Sequence, residues 1–342
     1  MTQEVQNVIV DEDGGADTMA VLAVVLGHPK KFNLLGLTTT YGNTSQAQAL
    51  RNNGDLLAFL GAPHIPFYPG ARGPMGSKLL EGDGAHGENG LGGVELYPTS
   101  ATPENKQAVD FIIETLKREP PHTVTIIAAG PLTNIAQAMV KNFSAMKRVK
   151  QIIIMGGCTE AMPAADAQEI GQPTRQGNIT PYAEFNFYMD APAAHKVMTS
   201  GLPIVLFQAG CTQQLSMTPR HEAIIRTTLP RNEAEASIGM MGAPRSLDSI
   251  KFAKDPFMHD VDTAVYPLDP SLYTGRYGHI TVTVGGVENG KTVFKPNWKS
   301  RLMVMERIND PDKVFGHFLT GLKKCIENAA KPQPVPDPKP AG

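Results

Sequence analysis

A chain of 342 residues with 41% hydrophobic and 19% charged side chains has room for one large α/β domain or two smaller ones, with a sizeable core. Its net charge of −2 makes no case for nucleic acid as a partner, and no apolar run reaches the roughly 20 residues that span a bilayer. Three widely spaced cysteines (Cys158, Cys211, Cys325) argue against a disulfide framework or a zinc site; with no basic-then-apolar leader in MTQEVQNVIVDEDGG, the expected compartment is the cytoplasm.

Val8, Ile9 and Val10 read as a buried strand ending on Asp11. Asp11, Glu12 and Asp13 follow one another, and Asp17 arrives after a Gly14-Gly15 turn. Ala16 to Leu26 reads as a helix with Gly27 as its stop. Such a turn lies at the carboxyl end of a strand, where open α/β sheets bind ligands. Asp11 and Asp13 can bracket a hard cation such as calcium or magnesium. Asp17, in the first helical turn, is favoured there by the helix dipole. Taken alone, the cluster is equally well read as helix capping and a solvated loop.

Phe32 to Asn43 predicts a second strand running into a turn, and Gln46 to Leu60 a helix capped by Thr44 or Ser45. Strand, helix, strand, helix is the pattern of a parallel sheet with crossover helices. Pro63 to Pro98 is loop-like, and His86 within it is expected to be solvated. Glu104 to Arg118 has the period of an amphipathic helix, His122 to Gly130 reads as a strand, and a helix starts at Pro131. Gln151 to Gly157 is apolar enough for a central parallel strand. Thr159 to Ile179 is loop-like again, a helix begins near Ala191, and Leu202 to Phe207 is a strand. Helices follow at Pro219–Thr228 and Ala234–Met241, and His259 and Asp260 stand just ahead of an apolar helical face. HITVTVGG and KTVFKPNW form a hairpin, RLMVMERI a strand, and VFGHFLTGLKKCIENAA the last helix. The proline-rich stretch 331–342 predicts a disordered tail, leaving 1–330 as one domain without internal repeats.

The stretches VIVDEDGGADTMAVL, TTTYGNTS, AHGENGLGG, AAGPLTNIA, IIIMGG, GNITPYAEFNFYMDAPAA and MHDVDTAVYPLDPSLY carry a resemblance. In this order, they make the chain resemble the inosine-uridine nucleoside hydrolase family over nearly its whole length. The resemblance implies a single α/β domain with an open, mainly parallel sheet flanked by helices, assembled as a homodimer or homotetramer. It implies hydrolysis of the N-glycosidic bond of ribonucleosides around a bound calcium ion. By motif position, Asp13 would be a calcium ligand and the base that activates water, Ala129 would offer its carbonyl, and Asp260 would be the distant carboxylate ligand. Asp17, Asn178 and Glu184 would grip the ribose hydroxyls, with Asn43, Met155 and Asn186 lining the sugar pocket. Asp11 would support the ligands from behind. His259 matches the histidine that some members place near the leaving base; it leans towards uridine or inosine and away from purine-restricted members.

Each of these residues also has an ordinary reading. Asn43 and Asn178 suit turns, Met155 suits a core, and Glu184 with Asn186 suits one solvated strand face. His259 could be a satisfied histidine at a helix start. Only the ordered set favours the site.

One position departs from the family pattern. Members usually carry two adjacent aspartates at the start of the first helix, where this chain has Asp17-Thr18. A threonine hydroxyl can reach a metal but brings no charge, and calcium affinity depends on ligand charge, so weakened binding is expected. Asp262 is a candidate substitute, although a helix N-terminal charge is the simpler reading of it. Thr18 also keeps open a non-catalytic protein that binds nucleosides without turnover. An aspartate-based phosphatase built on Asp11 and Asp13 is disfavoured by Gly15, where threonine or valine is usual, and by the lack of a phosphate-gripping motif downstream. A dinucleotide site is excluded because GxGxxG is missing from the first turn.

Overall fold

The computed structural model describes residues 5–76, 86–99, 101–159, 177–242 and 255–330. The tail expected at 331–342 and most of the loop expected between Thr159 and Ile179 lie outside them. The strands are β1 (Gln6–Glu12), β2 (Phe32–Thr39), β3 (Phe67–Pro69), β4 (Val124–Ala128), β5 (Gln151–Met155), β6 (Ile204–Phe207), β7 (Tyr273–Val282), β8 (Thr292–Pro296) and β9 (Leu302–Ile308). The helices are α1 (Thr18–Gly27), α2 (Gln46–Phe59), α3 (Ala108–Arg118), α4 (Thr133–Met146), α5 (Phe185–Met189) and α6 (Ala191–Met198). After these come α7 (Ala209–Thr212), α8 (Pro219–Thr228), α9 (Arg231–Met241), α10 (Val261–Val265) and α11 (Pro311–Ala329).

The strands form one sheet in the order β3-β2-β1-β4-β5-β6-β9-β7-β8. From β3 to β9 every neighbouring pair is parallel; β7 and β8 add an antiparallel edge. Strands β1, β4, β5 and β6 are buried on both faces, which is why their sequences are nearly continuous apolar runs instead of alternating ones. One face is covered by α1, α9, α10 and α11, packed on Val8 and Val10; the other is covered by α3, α4 and α6, packed on Ile9, Ile126 and Ile154. Strand order reverses at β1, with β2 on one side and β4 on the other. The carboxyl end of β1 is thus a topological switch point, where a crevice opens between diverging connections.

Helix α1 is buried around almost its whole circumference, as an apolar-all-round helix must be. Gly27, expected as a stop, is the last residue of α1 and a crossing point. A Cβ there would stand 2.2 Å from Gly321 Cα of α11, so only glycine permits this approach. The polar-aromatic stretch after Ala183 is not a strand. Phe185–Met189 forms one short helical turn because Glu184 caps it, accepting hydrogen bonds from the Asn186 and Phe187 amides. The helix expected at Pro131 begins at Thr133 and runs on to Met146, with a break in helical geometry at Asn142.

Candidate active site

The site is built at the end of β1. Gly14 adopts φ +67°, and a Cβ on it would lie 2.5 Å from Ala49 Cα of α2, so the turn can close only around glycine. That turn carries Asp11, Glu12, Asp13 and Asp17, every one buried. Helix capping does not account for them: Asp17 occupies the N-cap position of α1, yet its side chain makes no capping bond.

Asp13 accepts three hydrogen bonds. Its Oδ2 accepts the Asn43 amide N–H at 2.9 Å, and its Oδ1 accepts Asn43 Nδ2 at 3.1 Å and the Gly15 amide at 3.3 Å. Burial, reinforced by the charge of Asp17, raises its pKa from 3.8 to about 6. Asp11 sits behind it, accepting Thr38 Oγ1 at 2.5 Å and Asn134 Nδ2 at 2.8 Å, and burial lifts its pKa to about 6 as well. Asp260, N-terminal to α10, is pushed well up by burial and then by the charges of Asp17, Glu12 and Asp13. The fold therefore brings this residue, more than 240 positions away in sequence, into the same field.

The sugar-side candidates gather at the ends of β5 and α5. Glu184 is fully buried and accepts the Gly157 amide at 2.7 Å, the Asn186 amide at 2.8 Å and the Phe187 amide at 3.1 Å. Burial dominates these bonds and raises its pKa to about 7, with the Asp13 charge contributing. Asn186 Nδ2 donates to the Met155 carbonyl at 3.2 Å, and Asn178 Oδ1 accepts the Phe185 amide at 2.9 Å. Ala129 lies beside Asp11, to whose carbonyl its amide donates at 3.0 Å. His259 is half-buried, with Nδ1 2.6 Å from Thr212 Oγ1 and its ring 5.5 Å from that of Phe257.

Three residues join this site that sequence reasoning gave no role or a different one. His86 is buried, not solvated: its Nδ1 accepts the Ala16 amide at 3.2 Å and stands 4.0 Å from Asp17 Oδ1. Asn52 donates to the carbonyls of Gly14 and Asn89, both at 2.8 Å, and so ties the acidic turn to the segment after His86. Asn134 spans Asp11 and the Thr39 carbonyl. His86 and Asn134 lie inside AHGENGLGG and AAGPLTNIA, which was the available signal. Asp262, weighed as a substitute ligand, instead accepts Tyr273 Oη at 2.9 Å and is absent from the leading charges felt by Glu12, Asp13 and Asp260.

The donor set has the chemistry of a hard divalent cation. Buried oxygens Asp11 Oδ2, Glu12 Oε1 and Asp17 Oδ1 lack a hydrogen-bond partner among the described residues. No lysine or arginine is among the leading influences on Glu12, Asp13 or Asp260. Buried carboxylates cost several kcal/mol each when nothing compensates their charge, on the order given by ion desolvation. As they stand, no three His, Cys, Asp or Glu side chains among the described residues form a group that could hold a metal ion. The fit rests on unpartnered oxygens and uncompensated charge, not on a preformed cage.

A sequence profile of inosine-uridine preferring nucleoside hydrolase matches residues 8–315. The chain is 31% identical over 305 residues to uridine nucleosidase 1 of Arabidopsis thaliana, covering 86% of this chain and 83% of that protein. It is 30% identical over 292 residues to the pyrimidine-specific ribonucleoside hydrolase RihB of Escherichia coli, covering 85% and 87%. A solved plant nucleoside hydrolase superposes with a TM-score of 0.81 at 27% identity, covering 94% of this chain and 99% of the other. On its sequence and on its sheet alike, the chain belongs to the inosine-uridine preferring nucleoside hydrolase family.

Proposed function

We propose that this nucleoside hydrolase cleaves uridine- and inosine-type ribonucleosides to free base and ribose, with Asp13 as the general base beside a bound calcium ion. The observation that carries this reading is Asp13 itself: fully buried and oriented by both donors of Asn43. A carboxylate held in one orientation can take a proton from an attacking water placed beside it. Asp13, Asp260, the Ala129 carbonyl and Thr18 would hold the calcium, whose charge supplies acidification of water.

The remaining roles belong to the chain. Asp17, Asn178 and Glu184 grip the ribose hydroxyls, and Asn43, Met155 and Asn186 shape the sugar pocket, fixing the anomeric carbon near Asp13. Cleavage of the C–N bond builds oxocarbenium character, and the negative field of Asp13, Asp17 and Glu184 favours that charge where it develops. His259, oriented through Nδ1 by Thr212, delivers a proton to the departing base. The purely nucleoside-binding alternative rested on Thr18 alone and finds no support in the named relatives, which are nucleosidases and hydrolases.

No described helix is long and apolar enough to cross a membrane, and all three cysteines are free and buried. Those thiols favour a reducing compartment, the cytoplasm, and the family resemblance favours a homodimer or homotetramer there. The test is release of uracil from uridine and hypoxanthine from inosine by chelator-stripped protein with and without added calcium. Wild type should turn over only with the metal, and D13N should lose about 10²–10⁴-fold in kcat. Equal turnover by D13N would remove Asp13 from the mechanism.

A further inference from the structure

Glu12 has no role in the scheme above, and its setting is unusual. Val8 and Val10 point to the α1 face of the sheet and Ile9 to the other, so strand alternation sends Glu12 to the α1 side. Its backbone is fixed there by pairing with Thr39 and by the Thr40 amide, which donates to the Glu12 carbonyl at 2.8 Å. The side chain is 0% exposed. Thr18 Oγ1 donates to Oε2 at 3.2 Å, and Oε1 has no partner among the described residues. The charges of Asp13, Asp17 and Asp11 act on this carboxyl, and its own charge acts on Asp260. A fully buried carboxyl with an orphaned oxygen, surrounded by other carboxylates, is what a cation placed among them would compensate.

We infer that Glu12 is a direct ligand of the bound cation, supplying from the strand the carboxylate that Thr18 does not supply from the helix, with the Thr18 hydroxyl holding it in place. The inference rests on the metal-dependent reading proposed above. It makes the anionic ligands Asp13, Glu12 and Asp260, so the site is not short of charge. It also reassigns Thr18: a hydroxyl that donates its proton to Glu12 Oε2 positions a ligand instead of replacing one.

The experiment is calcium binding to chelator-stripped full-length protein, read by titration calorimetry and by the calcium-induced rise in Tm, for wild type, E12Q and D13N. Expected for E12Q is calcium affinity weakened about tenfold or more, with a smaller calcium-induced rise in Tm, because ligand charge sets affinity. Glutamine is isosteric with a neutral glutamic acid, so a Glu12 that is only a hydrogen-bonded core residue would leave both readouts unchanged, and that result overturns the inference. Loss of binding in D13N with full binding in E12Q would remove Glu12 and leave the metal reading standing. Wild type that takes up no calcium would end both.

Discussion

Asp11→Asn, measured across pH on chelator-stripped protein, isolates the electrostatic cost built into the acidic turn. Asp11 is fully buried, its Oδ1 accepts from Thr38 and Asn134, and its Oδ2 has no partner among the described residues. Burial, outweighing those two hydrogen bonds, raises its pKa from 3.8 to about 6. Because the folded value lies above the unfolded one, the protonated form favours the fold. The contribution is complete below about pH 3.8 and is lost as pH rises through about 6. At about 1.4 kcal/mol per pH unit, the stability lost across that window is on the order of 3 kcal/mol. Asparagine keeps an oxygen for Thr38 and Asn134 but has no charge to bury, so it removes this pH-dependent loss. Urea unfolding of wild type and D11N at several pH values from 4 to 8 measures it. The variant should gain on wild type by about 2.5 kcal/mol over that range, with nearly all of the gain achieved by about pH 7. A difference that stays constant with pH would refute the reasoning, since it would mean that Asp11 does not titrate with a raised pKa in the folded protein.

Two other substitutions separate orientation from charge. Thr212→Val removes the 2.6 Å contact to His259 Nδ1 at nearly constant volume, and kcat for uridine should fall about tenfold with KM little changed, as expected for a misaligned acid. Unchanged kcat would take Thr212 out of the proton path. Glu184→Gln replaces one acceptor oxygen with an NH2 donor that faces N–H donors, because the two carboxylate oxygens serve the amides of Gly157, Asn186 and Phe187. It should cost about 1–3 kcal/mol in urea unfolding and raise KM for uridine. Wild-type stability with a raised KM would assign Glu184 to substrate alone.

Much of the scaffold was legible because its cause is local. Short continuous apolar runs at Val8–Val10, Ile152–Met155 and Ile204–Phe207 suit strands buried on both faces, and the alternation with helices implies a parallel sheet. The glycine turn after Asp13 was legible for the same reason, since Gly14 is needed at φ +67° whatever surrounds it. Periodicity failed where a side chain overrode it. The stretch after Ala183 alternates like a strand, yet Glu184 satisfies the Asn186 and Phe187 amides and closes a helical turn.

The motifs named which acids matter, while their partners were beyond the reach of any local pattern. His86 looked like a solvated loop residue because nothing nearby in sequence buries it; Ala16, 70 positions away, does. Asp262 and Asp260 are two residues apart in sequence, but one meets Tyr273 and the other the field of Asp13 and Asp17. Sequence by itself determined an α/β hydrolase of nucleosides with an acidic turn at the end of its first strand. Only the tertiary structure decided which of those carboxylates are compensated and which are left orphaned. Hydrogen-bond satisfaction depends on neighbours that the chain brings together from far apart, and no spacing along the sequence encodes it.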